Sequence, residues 1–160
     1  MFCKGAHFIL KIAMNEENEI IEKAFAILTS RLREATISVS SSKAAESYLL
    51  HKLILEEREI FGALWLDIKY RLIASEDIAA GTINQTKIYP REILKSALKH
   101  NAANVIFFHN HPTGDSMPSE RDRLMTVNMK QVLKLIDVRL IDHIIVAGTQ
   151  TRSFARHGDL

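Results

Sequence analysis

The sequence predicts an α/β layered domain. Short, nearly continuous apolar runs of strand length alternate with segments whose apolar residues recur at helical spacing, and turn formers fall between them. The length of 160 residues fits one domain, and two independent cores would be cramped in it.

The elements follow in order. After Asn15 and its acidic neighbours, Ile20, Ile21, Ala24, Phe25, Ile27, Leu28 and Leu32 recur at helical spacing. Residues 36–42 are rich in Ser and Thr and read as a connector. They divide an N-terminal helical segment, residues 1–41, from the main domain, residues 42–160. Ser42 can cap a second helix, whose apolar face is Ala44, Ala45, Tyr48, Leu49 and Leu53. Residues 60–66 are almost continuously apolar, with Gly62 and Ala63 as the small members, which suits a buried strand. Lys69-Tyr70 makes a turn, residues 71–79 a second strand, and residues 82–88 a weaker third. Pro90, with Glu92 behind it, starts a helix whose buried face is Ile93, Leu94, Ala97 and Leu98. Residues 104–108 form a short apolar strand, followed by a loop dense in turn formers from His109 to Asp115. A helix then runs from Ser119 to about Ile136, with Leu124, Val127, Val132, Leu133 and Ile136 inward. Residues 138–147 read as a strand, and residues 153–155 as a last short one.

Composition narrows the function. Lys plus Arg is 21 and Asp plus Glu is 19, so the formal net charge is +2. That balance does not point to nucleic acid, and basic residues such as Lys69, Arg71, Lys130, Lys134, Arg152 and Arg156 are interleaved with acids. Cys3 is the one cysteine, which excludes an internal disulfide and a multi-cysteine zinc site. Zinc here would be held mainly by histidine and carboxylate, and there are seven histidines. No run approaches the roughly 20 apolar residues of a membrane-spanning helix. The apolar residues 8–14 are broken by Lys11, and acids follow where a small-residue cleavage site should lie, a poor signal peptide. The chain reads as cytoplasmic and reduced, with no membrane partner.

One segment carries chemistry. His109 and His111 lie two apart as the chain leaves a strand, so their imidazoles point to the same side of extended backbone. Asp122, near the start of the next helix, can close back on them. Two histidines, one carboxylate and a water complete a tetrahedral zinc site with an open position. The same letters fit plainer roles. A histidine pair in a polar loop is often only solvated, and Ser119-x-x-Asp122 is also a helix N-terminal signature. Spacing by itself leaves both readings open.

The pattern His109-x-His111, seven residues, Ser119-x-x-Asp122 resembles the JAMM (MPN-plus) metalloprotease motif of the JAB/MPN domain. Further blocks resemble the RadC branch of that family: Gly81-Thr82, Tyr89-Pro90-Arg91-Glu92, Asn101-Ala102-Ala103, His109-Asn110-His111-Pro112, Pro118-Ser119, Leu140-Ile141-Asp142-His143 and Ser153-Phe154-Ala155. The likeness spans residues 42–160. Asn110 stands where the broader family has Ser or Thr, and Thr113 where the RadC branch commonly has Ser. Residues 1–41 are too few for the helix-hairpin-helix domain of longer relatives, so the chain looks like the short stand-alone form, with no support for a nucleic-acid partner.

The resemblance implies a three-layer JAB/MPN-like fold, a cytidine-deaminase-like mixed sheet flanked by helices. It implies one Zn2+ on His109, His111 and Asp122, with Glu59 as general base and then general acid, and Ser119 donating to the oxyanion. The substrate would be a peptide or protein, cut at a peptide or isopeptide bond. His143 stays outside this catalytic set, as support for the site or as a structural histidine, while His7, His51, His100 and His157 read as surface residues. The N-terminal helix would cover the site, pair two copies into a homodimer, or cap the core. The rivals are a zinc-containing interaction module without turnover and a DNA-repair-associated or nuclease role. A zinc deaminase is excluded, because it needs a cysteine pair that this chain lacks.

Overall fold

The computed structural model of the chain describes residues 17–30, 42–81 and 88–160. The expected connector at residues 36–42 and weak strand at residues 82–88 lie, but for Ser42 and Ile88, outside the described residues. The elements are helix α1 (residues 17–30), then α2 (Ser42–Leu53), β1 (Glu59–Leu66), β2 (Leu72–Gly81), α3 (Pro90–Lys99), β3 (Asn104–Asn110), α4 (Glu120–Lys134), β4 (Arg139–Ala147), β5 (Gln150–Ser153) and α5 (Phe154–His157).

The strands form one mixed sheet in the order β2-β1-β3-β4-β5. Only β3 and β4 run parallel; the other pairs are antiparallel. The three middle strands are buried on both faces, which is why they read as continuous apolar runs rather than alternating ones. Two cores result. On one face Leu64, Leu66, Ile106, Phe108, Ile144 and Val146 pack against Ala45, Tyr48, Leu49 and Leu53 of α2. On the other, Phe61, Ala63, Trp65, Val105 and Phe107 pack against Ile93 and Ala97 of α3 and Met129 and Leu133 of α4. This is the three-layer α/β arrangement expected, helix–sheet–helix. Phe25 of α1 stacks on Tyr48 at 4.9 Å between ring centroids, and Leu28 joins the same core. Ile20, Ile21 and Ile27 of α1 stay exposed.

Several details depart from the sequence reading. On α4, Leu124 and Val127 point outward, at 59% and 49% exposure; Met125, Thr126 and Met129 face the sheet instead, beside Leu133, which is buried as expected. On α3, Leu98 is exposed while Ser96 is buried. Ala44 of α2 is exposed as well. Residues 153–155 are not a strand: Ser153 ends β5, and its hydroxyl accepts from the Arg156 amide to cap α5. His100 is not a free surface residue. Its ring stacks on Trp65 and its Nε2 lies 3.2 Å from Glu76 Oε2. That oxygen also accepts from Trp65 Nε1 and Ser96 Oγ. Burial pushes the Glu76 carboxyl up, but donation from Ser96, Trp65 and His100 outweighs it and leaves the group below its ordinary value.

Gly62 is required by a close approach. A Cβ there would lie 2.3 Å from Phe108 Cζ and 2.5 Å from the Glu76 carbonyl oxygen. Phe108 is fully buried, so its ring has nowhere to retreat. Gly62→Ala should therefore destabilise the fold by about 1–3 kcal/mol or more, as overpacking does. Chemical denaturation checks this, and a variant within about 0.5 kcal/mol of the parent would refute the steric reading.

Candidate metal centre

The β3–α4–β4 unit places a loop and a helix N-terminus beyond the carboxyl end of β3, the usual location of sites in α/β sheets. His109 is the penultimate residue of β3 and is buried. His111 lies just past the strand, yet its amide donates to the Val146 carbonyl at 2.8 Å, so the extended geometry continues one residue further along β4. That keeps both imidazoles on one face, as the two-residue spacing predicts. The chain then turns at Gly114, whose φ of +82° suits glycine.

Asp122 arrives from α4 through a capping box. The Asp122 amide donates to Ser119 Oγ at 3.1 Å, and the Ser119 amide donates to Asp122 Oδ2 at 2.8 Å. The Ser119 hydroxyl also donates to Oδ2, at 2.6 Å. The capping reading of Ser119 is what the structure shows, and the same contacts orient the Asp122 carboxylate. Asp122 Oδ1 is 3.5 Å from His109 Nε2, Oδ2 is 3.5 Å from His111 Nε2, and the two Nε2 atoms are 2.9 Å apart.

These distances fit a zinc ion. Donors about 2.0–2.1 Å from a tetrahedral centre lie about 3.3 Å from one another. His109, His111 and Asp122 are, among the described residues, the group whose ligand atoms converge closely enough to hold a metal. The donor chemistry agrees. His111 Nδ1 lies 2.6 Å from the Asp115 carbonyl oxygen, so this nitrogen must carry the proton and Nε2 is the one presented to the site. Electrostatics mark the same point. Burial raises the Asp122 carboxyl, but the adjacent His109 and His111 imidazoles overcome that and hold it well below the carboxylate range. The bond to Asp122 pulls His111 above the ordinary imidazole value, against the opposing effect of burial. A carboxylate and two imidazoles this close call for a cation among them, whether a proton or a metal.

Glu59, the first residue of β1, lines the same cleft of about 440 Å³ with His109, His111, Ser119 and Asp122. Asn110 explains how it is placed. This side chain points to the opposite face from its two histidine neighbours. Its Oδ1 accepts from the Ile60 amide at 2.7 Å, and its Nδ2 donates to the Arg58 and Glu56 carbonyls at 2.8 and 3.2 Å. The residue between the histidines thus ties down the backbone on either side of Glu59. From sequence, Asn110 stood out only as a departure from the broader motif.

His143 is fully buried, its Nε2 2.8 Å from His109 Nδ1. Its ring is 4.6 Å from that of Phe154, with Phe61 and Phe107 beside it. Desolvation in this apolar setting keeps it far below the ordinary imidazole value, hence neutral. Thr126, also buried, joins it at 2.7 Å. Sequence reasoning missed Thr126 and left His143 open. The available signal was the Asp142-His143 pair inside a largely apolar strand, since buried polar groups are almost always hydrogen-bonded. His51 and His157 are exposed as expected, and His7 lies outside the described residues.

Among the described residues no helix is long and apolar enough to cross a membrane. The chain is similar to known proteins over nearly all of this architecture. It is 44% identical over 142 residues to the UPF0758 protein YeeS of Escherichia coli (strain K12), covering 89% of this chain and 96% of that one. It is 45% identical to a UPF0758 protein of Vibrio cholerae, covering 89% of this chain and 90% of the relative. A longer UPF0758 protein of Janthinobacterium is 51% identical over 78% of this chain and 55% of its own length. The model of the RadC-like JAB domain matches residues 39–159. With the site lying within that span, the chain belongs to the RadC-like JAB domain family.

Proposed function

We propose that the protein is a zinc-dependent hydrolase acting on peptide or isopeptide bonds. One observation carries the reading: two imidazole nitrogens and a carboxylate converge at a cleft that also holds a glutamate and a serine hydroxyl. Zinc held by His109, His111 and Asp122 would supply an acidified water and a Lewis acid for the scissile carbonyl. Glu59 is the proton carrier, accepting a proton at its carboxylate during attack and returning it to the leaving amine. Ser119 Oγ donates to Asp122 at rest and can turn to donate to the developing oxyanion. The partner in this reading is a peptide or a flexible stretch of protein.

Unbiased cleavage profiling tests this. Zinc-loaded protein is incubated with a peptide library that includes isopeptide-linked members, and products are read by mass spectrometry. Chelator-sensitive cleavage at a consistent position is the expected result. Full zinc occupancy with no cleavage of any member would instead favour an interaction module.

A further inference from the structure

The surroundings of His109 hold more order than a ligand role requires. Its Nδ1 lies 2.8 Å from His143 Nε2, and His143 Nδ1 lies 2.7 Å from Thr126 Oγ1. Thr126 Oγ1 in turn lies 2.6 Å from the Asp122 carbonyl oxygen, four residues back on α4. A carbonyl oxygen can only accept, so the single hydroxyl proton of Thr126 is spent there. Thr126 must then accept from His143, which puts the His143 proton on Nδ1 and leaves Nε2 bare. A bare Nε2 at 2.8 Å requires a proton on His109 Nδ1. His109 is left with its lone pair on Nε2, the atom facing His111 and Asp122.

We infer that Thr126 and His143 are positioning residues that lock His109 in the tautomer able to bind a metal. The lock starts at the backbone carbonyl of Asp122, itself a ligand-bearing residue, so one end of the site sets the proton of the other. The two histidines are fixed by different means: His111 by the Asp115 carbonyl within its own loop, His109 by a buried chain crossing from α4 to β4 and β3. Phe61, Phe107 and Phe154 wall the His143 ring, and each of its nitrogens has one partner in this chain. The inference rests on the metal-site reading for its purpose, though not for its geometry.

The test uses the full chain with 15N-labelled histidine. Long-range 1H–15N spectra of the metal-free protein should show His109 and His143 protonated at Nδ1 and bare at Nε2. Thr126→Val, close in shape but without the hydroxyl, should mix or invert the His143 and His109 patterns and weaken zinc binding by about 10- to 100-fold. Thr126→Ser should restore both, which a purely packing role for Thr126 would not do. Amide dispersion like that of the parent shows that the valine variant is folded. Protonation of His109 at Nε2 in the parent, or unchanged patterns and zinc affinity in Thr126→Val, would overturn the inference. A Thr126-dependent tautomer in a protein that binds no zinc would support the lock and sink the metal reading instead.

Discussion

His109→Ala/His111→Ala is expected to bring bound zinc from one ion per chain down to background, measured by elemental analysis after dialysis against metal-free buffer. The reason is ligand arithmetic. Structural and catalytic zinc need at least three protein donors, and this variant leaves Asp122 alone. His111→Ala by itself is the cleaner companion. His111 is partly exposed, and its Nδ1 partner is a backbone carbonyl that can turn to water, so the fold should survive. Removing His109 additionally strips a donor from the buried Nε2 of His143, a penalty of about 1–3 kcal/mol. Circular dichroism of both variants separates lost ligands from lost fold. Stoichiometric zinc in a folded double variant would end the assignment of the site.

Glu59→Gln should keep its zinc and lose hydrolysis, by about 10²- to 10⁴-fold in kcat, the usual worth of a proton carrier. The substitution is nearly isosteric and removes only the ability to take up a proton. Glu59 is not in the converging donor group, so metal content should not change. Any peptide found by profiling provides the assay. Zinc lost along with activity would make Glu59 a ligand or a structural residue; activity retained at the parent level would hand the proton to another group.

Much of this architecture could be read from local rules, and the misses have a common cause. The central strand β1, the proline start of α3 and the turn after β3 depend on neighbours in sequence, and each was legible. The inward face of α4 was not. Counting its apolar letters put Leu124 and Val127 inside, but the sheet chose Thr126 and Met129 alongside the expected Leu133. Thr126 is taken in by a hydrogen bond to His143, a partner 17 residues away that helical spacing cannot reveal. The site divides in the same way. Spacing suggests His109, His111 and Asp122, and the resemblance to the family motif singles them out. His143 reaches His109 only because the parallel register sets it opposite Phe107, two residues short of the ligand. His100 and Glu76 meet across α3 and β2 for the same kind of reason.

The three hydrogen bonds of Asn110 have a consequence for motion. They join the residue between the two histidines, at the end of β3, to the backbone flanking Glu59. In the proposed reading, a shift of one segment would carry the other with it, so the candidate ligands and Glu59 would move together. Their spacing would then depend on the pairing of β1 with β3 rather than on the loop that follows His111.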